Sequence, residues 1–307
     1  MSADPSRVLH LQQYLSQPAE PALIKRLVGT SLKDLREETG ETQGQAAAAL
    51  GLSTSTVCRI EKGLGRRPVK PAHVARLLQH YRADPAEAQM LMTLLDRAES
   101  AANSWWQRFG AAVLPGWLNR FIGLQETAAL IRTYEVQLVP GLLQTEAYAR
   151  AVVRAGLPMA QRAEVDERVS LRLGRQAMLW REGAPRLWAV MDEAVLHNAP
   201  GGPEVLREQL DYLLDVSERS EAGCTVTVQI APFGSAAAVS PGMPFTYLRF
   251  PEQSVADVVY LEQVSGAEFV EDPEETLRYR VLLDHLAACA LSPEDTRRRI
   301  RQVRDAL

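Results

Sequence analysis

Residues 43–63 read QGQAAAALGLSTSTVCRIEKG, a stretch that predicts two short helices joined by a tight turn. Ala47 is small where two helices must touch, and Gly51 supplies the left-handed backbone that such a turn needs. Five apolar residues recur where the two helices would close over a shared core: Ala46, Leu50, Leu52, Val57 and Ile60. This pattern predicts a helix-turn-helix, whose second helix typically lies in a DNA major groove.

The second helix of this motif carries short hydroxyl side chains at its start. Ser53 is suited to cap the helix, which leaves the following residues free to face outward. Thr54, Ser55 and Thr56 are therefore the candidates for contacts with base edges. Arg59, one turn further along, is placed to reach guanine or a phosphate. The complete set of candidate DNA-contact residues is Gln43, Ser53, Thr54, Ser55, Thr56, Arg59, Lys62, Arg66, Arg67 and Lys70.

Positive charge is concentrated around this motif. The whole chain has a formal net charge of −4, yet residues 23–82 hold eleven lysines and arginines against five acidic residues, a net +6. Residues 83–307 carry −9. This distribution suits a protein in which the basic segment neutralises DNA phosphates and the acidic remainder stays off the DNA. We assign phosphate contacts to Gln43 at the start of its helix and to the flanking cations.

Composition indicates an ordinary soluble protein. The chain has 307 residues, of which 46% are hydrophobic and 23% charged, enough for two domains. No apolar run reaches the roughly 20 residues of a membrane span, and the first residues lack the pattern of a secretory signal. The three cysteines are far apart in sequence, which excludes a disulfide framework and a cysteine-rich zinc site. We therefore expect a cytoplasmic protein associated with the nucleoid, with no membrane, metal or cofactor.

The helical and strand signals divide the chain into four segments. Residues 1–22 form an N-terminal arm, 23–100 a DNA-binding domain of five helices, 101–120 a tryptophan-rich connector and 121–307 a C-terminal domain. In the C-terminal domain, amphipathic helices alternate with valine-rich or aromatic strands in the stretches IRTYEVQLVP, RLWAVMDEAVL, CTVTVQIAPF, PFTYLRF and ADVVYLEQ. The predicted fold is an all-α helix-turn-helix domain joined to an α+β domain with a mostly antiparallel sheet.

The stretch LREETGETQGQAAAALGLSTSTVCRIEKG lies in a segment, 27–98, that resembles the XRE (Cro/C1-type) helix-turn-helix family. That family usually has an acidic residue where Gly44 stands. Further along, LIRTYEVQLVPGLLQTEAYARAVV, MDEAVLHNAPGGPEVLREQLDYLL, VTVQIAPF and PFTYLRF look like the C-terminal domain of actinobacterial regulators of the WhiJ-like group. Such sequences commonly carry arginines where this chain has His197 and Asn198. The resemblance implies a transcription regulator, often encoded beside a small partner protein and described as antitoxin-like, with no ligand or reaction implied.

The C-terminal domain shows no pattern of catalytic residues. His197 and His285 are isolated in sequence, and the glycines of PGGPEVL lack the spacing of a dinucleotide loop. We therefore expect no enzyme. Two roles remain open: a sensor whose aromatic residues line an effector pocket, or a docking module whose acidic surface binds a small partner protein. The aromatic candidates, which core packing alone would also explain, are Trp180, Trp188, Phe245, Tyr247 and Tyr260.

The expected assembly follows from how helix-turn-helix domains bind DNA. Proteins of this type usually bind near-palindromic operators as two-fold dimers. We expect a homodimer, held by the C-terminal domain and by the tryptophan segment 105–117, on double-stranded DNA.

Overall fold

The computed structural model describes residues 21–63, 70–100, 105–221, 225–235, 242–251 and 255–307. The chain divides into two compact units, Met1–Gln107 with Glu252–Val255 and Arg108–Pro251 with Ala256–Leu307. Arg66 and Arg67, together with residues 1–20 of the predicted N-terminal arm, lie outside the described residues. The predicted domain boundaries stay predictions.

The described part of the first unit contains five α-helices, as the sequence predicts. They are α1 (Pro21–Glu38), α2 (Gln43–Ala49), α3 (Thr54–Glu61), α4 (Pro71–His80) and α5 (Pro85–Ser100). Helix α1 begins at Pro21, inside the segment predicted to be an arm. The helix thus starts two residues before the predicted boundary, at a proline, which is favoured in a first helical turn.

Local sequence explains where α2 and α3 begin and end. The Thr42 side chain accepts a hydrogen bond from the Gln45 backbone N–H, and the Gln45 side chain accepts one from the Thr42 N–H, which forms a capping box. Helix α2 thus begins with a full cap although Gly44 replaces the family's usual acidic residue. Ser53 caps α3 through the Thr56 N–H. Between the helices, Gly51 has a φ of +63°, the left-handed turn conformation expected of it.

The core of the first unit is built where the motif predicted it. Ala46, Ala47, Val57 and Ile60 are all buried, whereas Leu50 and Leu52 are half-buried. Helix α1 also approaches α3 closely, because a Cβ added at Gly29 would lie 2.4 Å from the Glu61 carbonyl oxygen. Only glycine fits this contact, so the close packing fixes α3 against the rest of the unit.

The described part of the second unit contains six further α-helices and six strands. The helices are α6 (Gly116–Thr127), α7 (Glu146–Gly156), α8 (Arg162–Gln176), α9 (Pro203–Glu221), α10 (Pro273–Cys289) and α11 (Pro293–Asp305). The strands are β1 (Leu130–Glu135), β2 (Arg186–Asp192), β3 (Val226–Ala231), β4 (Phe245–Arg249), β5 (Val258–Gln263) and β6 (Gly266–Val270). Short 3-10 turns occur at Trp105–Arg108, Gly141–Leu143, Ala177–Trp180 and Glu193–Leu196.

These strands form one mixed sheet in the order β3-β2-β1-β4-β5-β6. The pairs β1–β4, β4–β5 and β5–β6 are antiparallel, as predicted, whereas β1–β2 and β2–β3 are parallel. The prediction of a mostly antiparallel sheet is thus confirmed, since three of the five strand pairs are antiparallel, and the two parallel pairs make the sheet mixed. Helical connections lead from β1 to β2 and from β2 to β3, and connections of this length permit parallel pairing.

Three elements of the second unit differ from the sequence prediction. Residues 116–127, partly assigned to a connector, form helix α6, and its segment from Phe121 to Thr127 is buried. The strand predicted through Pro140 stops at Glu135, and residues 136–140 form a loop. Strand β6, whose sequence is only GAEFV, was missed because it is short and begins with glycine.

The two faces of the sheet differ in character. One face packs against Leu283 and Leu286 of helix α10, in a core that includes Tyr134, Tyr247 and Leu261. Since successive side chains of a strand point to opposite faces, the neighbours Thr133, Glu135, Tyr260 and Glu262 belong to the other face. That second face is polar, and it borders a cavity.

Candidate DNA-binding face and ligand cavity

The N-terminal end of α3 presents two exposed hydroxyl side chains, Thr54 and Ser55. Ser53 and Thr56 are engaged in capping: the Ser53 Oγ accepts from the Thr56 N–H at 3.2 Å and lies 2.8 Å from the Thr56 Oγ1. Ser53 Oγ is also 3.0 Å from the Ser55 Oγ. Among the predicted base-contact residues, Thr54 and Ser55 are therefore the most available to a duplex.

Cations from α3 and α4 lie close together beside this end. The pKa of His73 is lowered, first by its partial burial and then by the nearby positive charges of Lys70, Arg76 and Arg59. Lys62, at the end of α3, is exposed as well. The Arg59 Nε is buried and has no hydrogen-bond partner among the described residues. Arg76 also donates to the Leu50 carbonyl at 2.5 Å, in the turn before α3, which places positive charge beside the helix-turn-helix, as phosphate neutralisation requires.

A buried ion pair holds α3 in place. The Arg36 guanidinium donates to both carboxylate oxygens of Glu61, at 2.7 and 3.0 Å, and the pKa of Arg36 is raised chiefly by this hydrogen bond. The Gln43 side chain donates to the same carboxylate at 2.8 Å. The amide of Gln43, predicted to contact a phosphate, thus links α2 to α3, and its contact with DNA stays a prediction.

A cavity of about 390 Å³ lies on the polar face of the sheet in the second unit. Its apolar wall comes from α6, β1, the loop after β1 and β4, with Phe121, Leu138 and Val139 among its members. Its polar lining residues are Gln125, Thr133, Glu135, Gln144, Arg172, Arg175, Thr246, Tyr260 and Glu262. The volume is within the range of small-molecule sites, about 300–1,000 Å³.

Two arginines of α8, Arg172 and Arg175, enter this cavity from one side. They are three residues apart, so they share one face of the helix. Arg172 donates to the Gln144 side-chain oxygen at 2.8 Å, and Arg175 donates to that of Gln125 at 2.7 Å. Burial lowers the pKa of Arg172, and burial together with Arg172 lowers the pKa of Arg175 to about 10. Both guanidiniums therefore remain charged at neutral pH.

A carboxyl group faces the arginines from the sheet. Burial raises the pKa of Glu135 to about 8, although a hydrogen bond of 3.1 Å from the Thr133 hydroxyl acts in the opposite direction. Glu135 is therefore mostly protonated and uncharged at neutral pH. The second carboxyl, Glu262, is exposed and accepts a hydrogen bond of 3.2 Å from the Tyr260 hydroxyl.

Only two of the five aromatic candidates line the cavity, Phe245 and Tyr260. Tyr260 stacks on Phe121 with ring centroids 3.7 Å apart. Trp188 donates to Gln229 at 2.7 Å, and the buried Tyr247 donates to Asp257, so both belong to packed networks. Trp180 is 41% exposed beside Arg219. The predicted grouping of all five around one pocket therefore does not form, because neighbouring strand residues face opposite sides of the sheet.

Comparison with known protein families gives a match for each of the two units. Residues 118–302 match the family described as a domain of unknown function, DUF5753. The chain belongs to this family. Residues 27–91 match the family described as a helix-turn-helix domain, which indicates a DNA-binding regulator. No curated protein and no solved structure matches the chain.

The described residues show neither of two further features that would suggest other functions. Within these ranges there is no group of three or more His, Cys, Asp or Glu side chains placed to hold a metal ion. No helix in the described part of the chain combines the length and apolar character of a membrane span.

The residues that sequence reasoning missed are Glu135, Arg172 and Arg175 of the DUF5753 domain. Each looks like an ordinary surface charge in sequence, since α8 is rich in arginine and glutamate throughout.

Proposed function

We propose that the protein is a sequence-specific transcription regulator of the XRE (Cro/C1) type that places α3 in the DNA major groove. The observation that carries this proposal is the pair of exposed hydroxyls, Thr54 and Ser55, at the start of a capped helix beside the cations of Arg59, Lys70 and Arg76. Hydroxyls read base edges, and cations neutralise phosphates. Such a protein works at the nucleoid of the cytoplasm.

Several finer features of the proposal come from the sequence. We assign the chain to the WhiJ-like group and expect a homodimer on a near-palindromic operator. Light scattering at micromolar concentration tests the dimer, with a mass near twice 34.0 kDa as the expected result. A monomer that binds its operator with full affinity would contradict it.

For the DUF5753 domain, we propose that it binds an effector in the cavity and thereby modulates DNA binding. The support is a partly enclosed space of about 390 Å³ whose charged side chains point inward. We propose binding and not catalysis, since no Ser, Cys, Lys or His is among the residues that line the cavity. A DNA-tethered enzyme that uses Glu135 as a general acid is the alternative.

A second candidate role for this domain is docking of a small partner protein, antitoxin-like in character. The observation that favours it is an exposed apolar pair one turn apart on α10, Leu277 at 45% and Val281 at 57% exposure. The acidic charge of residues 83–307 would suit a basic partner. Co-purification of a neighbouring gene product that is lost in Leu277→Ser/Val281→Ser would support this role.

Selection from a random DNA library tests the proposed function. The full-length protein should enrich one sequence motif, read by hydroxyls of α3. Thr54→Val combined with Ser55→Ala should enrich a different or weaker motif, because two donor and acceptor groups are lost. Thr93→Val is the matched control, since it removes a hydroxyl that bonds the Gln89 carbonyl at 2.8 Å within α5. Absence of any enriched motif with the wild-type protein would refute the proposal.

A further inference from the structure

The two arginines of the cavity, both half-buried, form no ion pair with a carboxylate of the described residues. In the part of the chain that the structure describes, neither Arg172 nor Arg175 lies within 4.0 Å of a carboxylate; their hydrogen bonds go to the neutral amides of Gln144 and Gln125. The Arg175 Nε is enclosed and has no partner among these residues. A charge that is withdrawn from water without an opposite charge nearby costs folding free energy, so proteins normally pair such charges with a carboxylate or another counterion.

The chain does not use Glu135 to neutralise this pair. Glu135 lines the same cavity, yet its hydrogen bond comes from Thr133 and not from an arginine. Its protonated form at neutral pH leaves a donor O–H and no negative charge in the cavity. Glu262 is exposed and accepts a hydrogen bond from Tyr260, and its single negative charge acts on both arginines without an ion pair to either of them. The inner part of the cavity therefore has an excess of positive charge.

Part of the remaining lining of the cavity is apolar. Phe121 and Tyr260 stack at a centroid distance of 3.7 Å, with the Arg175 guanidinium 5.4 Å from the Phe121 ring. The apolar wall continues along the loop after β1 with Leu138 and Val139, and then with Leu142. A ligand that fits must combine an anionic head with a hydrocarbon body.

We propose that this cavity is the binding site of a small organic carboxylate, whose carboxylate group is bound by Arg172 and Arg175 and whose hydrocarbon body lies against Phe121 and the Leu138–Leu142 loop. A carboxylate matches the planar fork of a guanidinium and accepts two parallel hydrogen bonds. The free guanidinium nitrogens and the protonated Glu135 supply these donors. The regulatory role of this ligand rests on the effector function proposed above, whereas its binding to the cavity does not depend on DNA.

Calorimetric titration and thermal shift of the full-length protein at pH 7, without DNA, test the site. The probes are octanoate and phenylacetate, each compared with its neutral amide, octanamide and phenylacetamide, and with phenyl phosphate. We expect at least one carboxylate to bind and to raise the melting temperature, and its amide to bind about tenfold to hundredfold more weakly, because a charge-assisted pair is lost.

Variants locate the binding within the molecule. Arg172→Gln and Arg175→Gln should each weaken carboxylate binding about tenfold or more, whereas Arg175→Lys should retain part of it. Arg162→Gln is the matched control, because its side chain is 88% exposed on the same helix. Should a glutamine variant fail to fold, the comparison of carboxylate and amide on the wild-type protein still decides the proposal.

Three results would overturn the proposal: no binding of either carboxylate, equal binding of carboxylate and amide, or binding that Arg172→Gln and Arg175→Gln leave unchanged. A response to phenyl phosphate alone would also overturn the assignment to carboxylates. The affinity for the operator is measured in parallel, with and without the bound probe. This second measurement distinguishes a failure of the carboxylate site from a failure of the proposed regulatory function. Loss of DNA binding with intact carboxylate binding would refute only the regulator, and a bound probe without effect on the operator would refute only the effector role.

Discussion

The buried carboxylate of Glu61 offers the sharpest test of how the DNA-binding unit is held together. Its oxygens accept hydrogen bonds from Arg36 at 2.7 and 3.0 Å and from Gln43 at 2.8 Å, so one side chain connects α1, α2 and α3. Glu61 is 6% and Arg36 8% exposed. The substitution Glu61→Gln keeps the size of the side chain but leaves the buried Arg36 charge with only the exposed carboxylate of Glu37, 3.6 Å away, among the described residues.

The magnitude follows from this burial. Breaking a buried pair by removing one charge costs about 3–5 kcal/mol, a large share of the roughly 5–15 kcal/mol that stabilises a typical domain. Hydrogen-exchange mass spectrometry on the full-length protein measures the opening free energy of α2 and α3 directly. We expect their amides to exchange about 10²- to 10³-fold faster in Glu61→Gln, since each 1.4 kcal/mol corresponds to a factor of about ten.

Two further variants make this test specific. Arg36→Met/Glu61→Gln should be less destabilised than Glu61→Gln alone, because no buried charge remains. Glu37→Gln, which removes a carboxylate that is 54% exposed on α1, should change exchange little. Exchange in Glu61→Gln that stays within about twofold of the wild-type rate, a change of less than about 0.5 kcal/mol, would refute the assignment of α3 positioning to this pair.

Three other predictions concern packing, charge and pH. Gly29→Ala should destabilise the first unit by about 1–3 kcal/mol in the same exchange experiment, because the added Cβ collides with the Glu61 carbonyl; unchanged exchange in α1 and α3 would contradict this. Lys62→Gln/Lys70→Gln should reduce the slope of log K against log[salt] by about 2 in fluorescence anisotropy on any duplex, whereas Lys33→Gln on α1 should not; equal slopes would remove both lysines from the phosphate contacts. Because the pKa of Glu135 rises from about 4.5 to about 8 on folding, the folded state binds its proton more tightly. The contribution of Glu135 to thermal stability should therefore be greatest below about pH 4.5 and should be lost as the pH rises to about 8. The variant Glu135→Gln should lack this part of the decrease in stability. Parallel pH profiles of stability for the two proteins would contradict the assignment.

Much of the first unit could be predicted because its signals are local. Thr42, Ser53 and Gly51 determine helix starts and the turn through hydrogen bonds and backbone angles within a few residues, and Ser53 and Gly51 behave as the sequence analysis predicted. The bond from Gln43 to Glu61 spans 18 positions and could not be predicted, since it depends on the packing of α2 against α3.

The second unit was predicted less completely because its site is assembled from distant segments. Glu135 and Arg175 lie 40 positions apart in sequence and meet only when α8 packs beside the sheet. The aromatic residues attracted attention as pocket candidates, but Trp188 and Tyr247 proved to be packed against Gln229 and Asp257. The alternation of side chains along each strand separates residues that face the cavity from residues that face the core. This rule could be applied only once the register of the strands was known.

The affinity of the full-length protein for its selected operator, measured for Thr54→Val/Ser55→Ala against Thr93→Val, tests the role of α3 most directly. We expect the α3 variant to lose about 1–3 kcal/mol of discrimination between operator and random duplex while it keeps its affinity for random DNA, and the control to match the wild type. An α3 variant that discriminates as well as the wild-type protein would show that these hydroxyls do not read the DNA.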